Sequence, residues 1–207
     1  MSVGVVPVTD ELLRRYDVSG PRYTSYPTAD RFVEAFTAED YAQALTQRRS
    51  GAAALALPLS LYIHIPFCES LCYYCACNKI ITKHHSKAAE YLRYLSREVD
   101  LHTQQIGTGQ MVSQLHLGGG TPTFLSDDEL RELMAMLRRN FAFAPGGEYS
   151  IEVDPRTVDA KRLDTLAELG FNRLSFGVQD FDPAVQKAVH RVQPAEQVFE
   201  LVAAARA

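Results

Sequence analysis

The strongest chemical signal in the sequence is a group of four cysteines at positions 68, 72, 75 and 77. Four thiols in one short loop are typical of a metal or cluster site, whereas a disulfide framework scatters its cysteines along the chain. A structural zinc ion usually takes two separated pairs of ligands, so a single loop favours an iron–sulfur cluster. A structural zinc site and four buried thiols remain the alternatives.

Three of these thiolates would leave one iron of a four-iron cluster without a protein ligand. An open coordination position of this kind is where a metal site binds a substrate or cofactor. The loop also follows the first predicted strand, and parallel α/β folds place their sites at the carboxyl ends of the strands. The position of the loop is therefore suited to chemistry.

Further candidate groups follow the later predicted strands. The sequence GGGTP at 118–122 follows the second strand, Glu152 lies near the end of the third and Gln179 ends the fourth. Glycines let a ligand approach the backbone, and a carboxylate binds ribose hydroxyls or an ammonium group. The alternatives are a tight strand-to-helix turn for the glycines and an ion pair or solvated charge for the glutamate.

Tyr62, His64 and Arg191 carry the remaining polar groups of interest. Tyr62 and His64 alternate on the first strand and so share one face, where they form either part of a site or a satisfied pair inside a barrel. The guanidinium group of Arg191 can hold a carboxylate with two hydrogen bonds. It can equally be a cation that stabilises the end of a helix.

The elements that must position these residues alternate along the chain. Strands are predicted at 57–67, 112–117, 148–153 and 172–177, and helices at 86–106, 126–140 and 157–169, with shorter helices that begin at 182 and 194. Gly107 and Gly170 end two of the helices, and the sequence SDDE at 126–129 is a capping box. Four strand–helix units predict an α/β fold with a parallel sheet, either half of an eight-stranded barrel or an open doubly wound sheet.

Two parts are expected in the chain. Residues 1–57 are predicted to form an arm that contains a helix at 37–49, with Thr37 as its N-cap. Residues 58–207 are predicted to form the barrel core. Because the sequence ends in a helical pattern without a capping residue, we expect this core to be truncated after about four β/α units.

The composition excludes several classes of protein. With 46% hydrophobic residues among 207, the chain can bury a core and does not resemble a disordered protein. A net charge of −4 does not suit a general nucleic-acid binder. No apolar run is long enough for a membrane span and no secretory signal is visible, so we expect a cytoplasmic protein.

The spacing Cys68-x3-Cys72-x2-Cys75 resembles the signature of the radical S-adenosylmethionine (radical SAM) enzymes. This resemblance implies that the three cysteines hold a 4Fe–4S cluster whose open iron chelates S-adenosylmethionine. It also implies reductive cleavage of that cofactor to a 5′-deoxyadenosyl radical. The implied fold is a partial or full (β/α) barrel, with Tyr74 near the adenine.

Longer stretches resemble one family within this superfamily, the oxygen-independent coproporphyrinogen III oxidases. They are YIHIPFC at 62–68, LHLGGGTPT at 115–123, PRYTSYPT at 21–28 and the extra Cys77. The resemblance implies the decarboxylation of two propionates of coproporphyrinogen III to vinyl groups, which gives protoporphyrinogen IX without O2. It further implies two molecules of S-adenosylmethionine and an electron donor such as a flavodoxin-type reductant, and we expect a monomer.

This resemblance also implies roles for the residues of the glycine-rich turn. Gly119, Gly120 and Thr121 match the motif that binds the amino group of the cofactor. Thr121 replaces the glutamate that is usual there, so its hydroxyl and the glycine carbonyls are the acceptors that remain. Cys77 matches a cysteine of the family to which we assign no role, and it can also be an incidental thiol.

Five other residues receive roles in the same way. Glu152 matches a residue that contacts the cofactor. Gln179 and Arg191 match residues that hold the second S-adenosylmethionine. Tyr62 is placed at the cofactor and His64 near the substrate or the cluster, and both are candidate catalytic residues.

Two basic or aromatic segments carry weaker signals. Arg22, Tyr23, Tyr26 and Arg31 of the arm could contact an anionic porphyrinogen, although surface loop residues are the simpler interpretation. The basic run at 83–87 is more often a solvated loop than a site. The competing functions are a related haem-trafficking protein, which by resemblance lacks Cys77 and the arm, and a plain zinc-binding module.

Overall fold

The structure is a computed structural model that describes residues 8–18, 28–50 and 57–207. The chain divides into two units, Met1–Tyr41 and Ala42–Ala207. The first unit contains helix α1 (Asp10–Tyr16), which the sequence analysis did not predict. Thr9 caps this helix, because its side-chain oxygen accepts a hydrogen bond from the amide of Leu12 at 3.2 Å.

Helix α2 (Ala38–Ser50) confirms the helix predicted at 37–49. Thr37 precedes it as predicted, and its hydroxyl accepts a hydrogen bond from the amide of Asp40 at 3.3 Å. Arg31 ends a short 3₁₀ turn and is exposed. The other arm residues named above, Arg22, Tyr23 and Tyr26, lie outside the described residues. The predicted division of the chain after residue 57 stays a prediction.

Six strands follow in the second unit. Their bounds are β1 (Leu59–Ile65), β2 (Phe67–Cys68), β3 (Ile80–Ile81), β4 (Gln110–Gly119), β5 (Phe141–Val153) and β6 (Arg173–Phe176). Four of them form a parallel sheet in the order β1, β4, β5, β6, while β2 and β3 form a small parallel pair. The predicted parallel sheet is therefore confirmed, and the small pair is an addition to it.

Helices alternate with the strands of the main sheet, as expected of a partial β/α barrel, and two further helices follow its last strand. The helices are α3 (Ser86–Ile106), α4 (Asp127–Asn140), α5 (Ala160–Glu168), α6 (Pro183–Ala188) and α7 (Ala195–Ala204). Gly107 ends α3 with a φ of 85°, a conformation that side chains with a Cβ rarely adopt. The capping box at the start of α4 is complete. The amide of Ser126 donates to the carboxylate of Glu129 at 2.8 Å, and the amide of Glu129 donates to the hydroxyl of Ser126 at 3.2 Å.

The hydrophobic core lies between the sheet and these helices. Leu115 and Leu117 of β4 and Ile151 of β5 are almost fully buried, and they pack with the apolar faces of α3 and α4. Burying an aliphatic side chain of this size stabilises the fold by roughly 1.5–3 kcal/mol. The opposite face of the strands carries the polar residues, so the core fixes which side chains face the site.

Three local predictions were wrong in detail. The first strand is not buried throughout, because Tyr62 is 59% exposed on the face that α3 does not cover. Strand β5 starts at Phe141, before the predicted 148, because it pairs with β4 on both sides of an irregularity. Helix α5 starts at Ala160, after the predicted 157, because Asp159 is the residue that caps it, with its carboxylate 2.8 Å from the amide of Arg162.

The register brings the carboxyl ends of the four parallel strands to one edge of the sheet. Ile65 lies opposite Gly119, and Glu152 lies opposite Ser175. Parallel α/β folds place their functional residues at this edge. Among the helices of the described ranges, none has the length and apolar character to cross a membrane.

Candidate functional site

The cysteine loop leaves the main sheet at the end of β1 and is anchored by the pair β2 and β3. Thr82 N donates to the carbonyl of Cys68 at 2.9 Å, and Ile80 N donates to that of Pro66 at 2.7 Å. These bonds close the loop at its base. Its four cysteines are free thiols, of which Cys72 is the most buried.

Three of the thiols share one cavity, of about 290 Å³, which Cys68, Cys72 and Cys75 line together. Cys77 does not line this first cavity. It faces a second, of about 360 Å³, which also reaches Cys75. Burial, and then the neighbouring thiols of Cys77 and Cys72, raises the pKa of the Cys75 thiol. The structure thus groups the three predicted ligands in one cavity, while Cys77 lies near Cys75 but outside that cavity.

The first cavity fits an anionic cluster by its charges. Four basic side chains line it (Lys79, Lys83, Arg156 and Arg191) against two acidic ones (Glu69 and Asp154). Thiolates are anionic, so this surplus of cations suits them. Among the described residues, no three histidine, cysteine or acidic side chains converge on one point that a single ion could occupy. A four-iron cluster does not need that convergence, since its thiolates bind different irons.

A distant segment of the chain holds the far side of the cysteine loop. The amide of Tyr73 donates to the carbonyl of Val189 at 3.0 Å. The ring Nδ1 of His190 donates to the carbonyl of Leu71 at 2.9 Å. These two bonds bring the residue that follows, Arg191, to the edge of both cavities.

The glycine-rich turn after β4 lies directly against the cysteine loop. The amide of Gly120 donates to Ile65 O and that of Thr121 to Phe67 O, both at 2.8 Å. The hydroxyl of Thr121 lies 3.5 Å from the sulfur of Cys68. Gly119 has a φ of 116°, and a Cβ there would lie 2.7 Å from the ring of His64. The turn therefore needs its glycines both for conformation and for close approach.

We expect Gly120→Ala to lower the free energy of unfolding by about 1–3 kcal/mol, the usual penalty for overpacking. The added Cβ would lie 2.7 Å from Phe67 O and 3.0 Å from the sulfur of Cys68, and a backbone oxygen cannot move aside freely. Urea denaturation measures the change. Gly109→Ala, where the added methyl group meets nothing within 4 Å but φ is 75°, shows a purely conformational penalty for comparison, whereas the penalty at Gly120 is steric because its φ lies outside the positive range. If Gly120→Ala has the same free energy of unfolding as the original protein, the close approach of the turn to the cysteine loop is contradicted.

Tyr62 and His64 do share one face of β1, as predicted, and they contact each other. The ring Nε2 of His64 donates to the carbonyl of Asn78 at 2.9 Å, so in the neutral ring Nδ1 accepts the hydroxyl proton of Tyr62 at 3.0 Å. Burial, followed by the charges of Glu152 and Cys77, raises the pKa of the Tyr62 phenol. The phenol therefore keeps its proton at neutral pH.

Glu152 lies at the strand edge and is oriented from two sides. One oxygen accepts a hydrogen bond from the amide of Gly119 at 3.2 Å, and the other lies 3.5 Å from Nε2 of His116. The Nδ1 atom of His116 is in turn 2.7 Å from the hydroxyl of Ser150, which donates to Leu115 O at 3.2 Å. The sequence analysis missed His116 and Ser150, although each lies two residues before a residue of the site.

Arg191 is buried in an ion-pair network and does not act as an exposed cation at a helix end. Its guanidinium lies 3.3 Å from Asp154, which Arg156 also holds with Nη2 at 2.7 Å and Nε at 3.0 Å. Burial alone would raise the pKa of Asp154, but the hydrogen bonds from Arg156 and the charge of Arg191 lower it overall. The sequence analysis missed Asp154 and Arg156, whose only local signal is their place just after a strand.

The second cavity contains the remaining predicted residues. Tyr74, Glu152, Gln179 and Arg191 all line it. Within the described structure, the buried Nε of Arg191 has no hydrogen-bond partner. An orphaned buried donor is costly, and a bound ligand is one way to satisfy it.

The basic run at 83–87 is exposed, as expected of a solvated loop, but two of its residues contact the surroundings of the cysteine loop. Lys83 lines the first cavity. The ring of His85 stacks on that of Phe124, with centroids 4.4 Å apart, and lies 3.4 Å from Glu69. This run therefore forms part of the wall beside the cysteine loop.

Comparisons with known proteins point to one family. The sequence profile described as the Radical SAM superfamily matches residues 62–207. The chain is 53% identical over 198 residues to the oxygen-independent coproporphyrinogen III oxidase of Pseudomonas aeruginosa, which covers 95% of this chain and 42% of that protein. It is 48% identical to the enzyme of the same name from Escherichia coli, over 100% of this chain and 44% of the relative.

A solved structure agrees with these relatives. The coproporphyrinogen III oxidase of Escherichia coli, described as a radical SAM enzyme, superposes with a TM-score of 0.81 and 47% identity, over 95% of this chain and 42% of that one. The chain thus spans about two fifths of the length of the relatives it matches. The predicted partial β/α barrel is confirmed by this likeness.

Proposed function

The chain belongs to the radical SAM superfamily, and we propose that it catalyses the oxygen-independent oxidative decarboxylation of coproporphyrinogen III to protoporphyrinogen IX. The observation that supports this most directly is the single cavity lined by Cys68, Cys72, Cys75 and the glycine-rich turn. When bound, a 4Fe–4S cluster and S-adenosylmethionine would supply a 5′-deoxyadenosyl radical that removes a hydrogen atom from the substrate. Each of two propionates would lose that hydrogen, CO2 and one electron, leaving a vinyl group.

The three cysteines would hold the cluster in this proposal. Thr121 and the carbonyls of Gly119 and Gly120 would accept hydrogen bonds from the amino group of the cofactor. Their contact with the cysteine loop supports this, since it leaves the turn at the mouth of the first cavity.

Four other side chains would contact the cofactor or the substrate. Glu152 would accept hydrogen bonds from the ribose, because the amide of Gly119 already orients its carboxylate. Tyr74 would pack near the adenine, and it lines the same second cavity. Tyr62 and His64 would act as catalytic residues at the cofactor and the substrate, with their mutual hydrogen bond fixing both rings.

A second molecule of S-adenosylmethionine would bind beside the first, at the side of the second cavity that Gln179 and Arg191 line. The free Nε of Arg191 supports a bound acceptor there. Two such molecules match a reaction that decarboxylates two side chains. The cofactors proposed are therefore one 4Fe–4S cluster and two molecules of S-adenosylmethionine.

The remaining parts of the proposal concern the surroundings of the site. Residues 1–57 would form the arm and 58–207 the core of the barrel. A reductant such as a flavodoxin-type protein would supply electrons to a monomeric, cytoplasmic enzyme. The surplus of basic groups around the first cavity would favour an acidic donor.

Anaerobic turnover tests the proposed function. The protein, purified and reconstituted with iron and sulfide without O2, is incubated with coproporphyrinogen III, S-adenosylmethionine and dithionite. We expect protoporphyrinogen IX together with 5′-deoxyadenosine, and neither product when S-adenosylmethionine is left out. Tight binding of haem without consumption of the porphyrinogen would contradict the proposal in favour of haem trafficking. A colourless protein that carries zinc would contradict it in favour of a zinc module.

A further inference from the structure

The chain turns sharply after β6, with Gln179 at the centre of the turn. Gln179 has a φ of 70°, and the amide of Asp180 donates to the carbonyl of Val178 at 3.0 Å. A bond between residues two apart around a positive φ defines a γ-turn of the rare and strained kind. Residues with a Cβ avoid this conformation because the Cβ crowds the following carbonyl group. Strain of this sort persists only where the surroundings enforce it.

Two buried glutamines enforce it here. The side-chain amide of Gln193 donates to the carbonyl of Val178 at 2.6 Å, and that of Gln186 donates to the carbonyl of Asp180 at 2.9 Å. The carbonyls on both sides of Gln179 are therefore held by side chains that are only 2% and 4% exposed. The two glutamines are also hydrogen-bonded to each other, since the backbone amide of Gln193 donates to the side-chain oxygen of Gln186 at 3.1 Å.

The geometry indicates that these glutamines serve the turn in particular. The side-chain oxygen of Gln193 is buried and has no hydrogen-bond partner in the described structure. A buried amide that leaves its own oxygen unsatisfied is unfavourable by itself. An apolar side chain of the same size would fill this space without that penalty, so the amide group is explained by its bond to Val178.

The turn places the amide of Gln179 beside the guanidinium of Arg191. A Cβ on Gly177 would lie 2.9 Å from Nη2 of Arg191 and 3.4 Å from Nε2 of Gln179, so both side chains rest on this glycine. The backbone amide of Arg191 donates to the carbonyl of Gln186 at 2.8 Å. Gln186 thus bonds both the carbonyl that follows Gln179 and the backbone amide of Arg191.

We propose that Gln186 and Gln193 are positioning residues that hold the strained turn at Gln179 and so keep its amide beside Arg191 in the second cavity. Without them the turn would relax to a negative φ, which redirects the side chain of Gln179. This inference rests on the proposed role of Gln179 and Arg191 in binding a second S-adenosylmethionine. The strain itself can be measured without any ligand.

The first experiment compares Gln179→Gly with Gln179→Ala, which both remove the side-chain amide. Glycine normally lowers stability relative to alanine, but at a positive φ the order reverses. We expect the higher Tm for Gln179→Gly. The same two substitutions at Gln110, a strand residue outside both cavities, should show the ordinary order. A Tm for Gln179→Gly equal to or below that of Gln179→Ala would overturn the proposal, whatever the protein binds.

The second experiment measures the binding of radiolabelled S-adenosylmethionine to the anaerobic, reconstituted protein by equilibrium dialysis. In Gln186→Met and Gln193→Met we expect the affinity of one of the two classes of binding site to fall by about tenfold, the size of effect expected when one hydrogen bond to the ligand is lost. The affinity of the other class of site, at which S-adenosylmethionine binds the cluster, should not change. The EPR spectrum of the reduced protein monitors this class. Gln110→Met, which also loses an amide-to-carbonyl bond, is the matched control.

The outcomes separate this inference from the proposed function. Unchanged affinity in both classes for both variants would overturn the positioning role. If the original protein has a single class of binding site, the second S-adenosylmethionine is contradicted, and the function proposed for the turn is contradicted with it. If the methionine variants do not fold, the Tm order at position 179 decides whether the turn is strained as proposed.

Discussion

Replacing Cys68, Cys72 or Cys75 by serine is expected to reduce bound iron and sulfide to background and to abolish turnover. The three sulfurs line one cavity, so each replacement removes a soft ligand that a hydroxyl does not substitute well. Cys77→Ser should keep nearly all of the iron, because Cys77 lines the second cavity and not the first. Iron and sulfide analysis after anaerobic reconstitution measures the difference.

The comparison among the four cysteines is informative because all lie within one loop. A general disturbance of the loop would affect all four variants equally. Loss of iron in Cys77→Ser to the same extent as in Cys72→Ser would therefore contradict the assignment of three ligands. Far-ultraviolet circular dichroism of each variant is the control for folding.

The second large effect is expected from Asp154→Asn. Asp154 is 6% exposed and is the shared partner of Arg156 and Arg191. Neutralising it leaves two cations packed together without the carboxylate they share, and breaking a buried pair in this way typically reduces stability by about 3–5 kcal/mol. We expect a loss near the lower end of that range, about 3 kcal/mol at neutral pH, because Arg156 retains some contact with solvent. Urea denaturation at matched cluster content measures it.

The effect of Asp154 should depend on pH in one direction. Its pKa is lowered in the folded protein, so its contribution is complete above the ordinary value of about 3.9 and is lost as pH falls through the folded pKa. The gap between the original protein and Asp154→Asn should therefore be constant from neutral pH down to about pH 4 and narrow below it. Asp128→Asn, at an exposed pair with Arg131, should cause no measurable change. A gap that widens on acidification would contradict the argument.

Local chemistry made much of the fold predictable. Gly107 marks the end of α3 and the capping box at Ser126 marks the start of α4, and both signals depend on neighbours in the sequence. The alternation of apolar segments then implied parallel strands, because a helix must cross from each strand to the next. The start of β5 at Phe141 could not be predicted in this way, since it depends on pairing with a strand that lies elsewhere in the sequence.

The candidate site divides in the same manner. The cysteines, the glycine-rich turn and Glu152 were visible because their spacing or their place after a strand is itself unusual. The partners that orient them were not visible, since Asp154 meets Arg191 and His116 meets Ser150 only after the sheet has formed. The γ-turn at Gln179 is a further case, because no local pattern requires a glutamine there to adopt a positive φ.

The bonds from Tyr73 to Val189 and from His190 to Leu71 have a consequence for the order of assembly. They fasten the cysteine loop to the segment that carries Arg191, so we expect the two to reach their final places together. A change that displaces the cysteine loop would therefore also move Arg191 from the edge of both cavities.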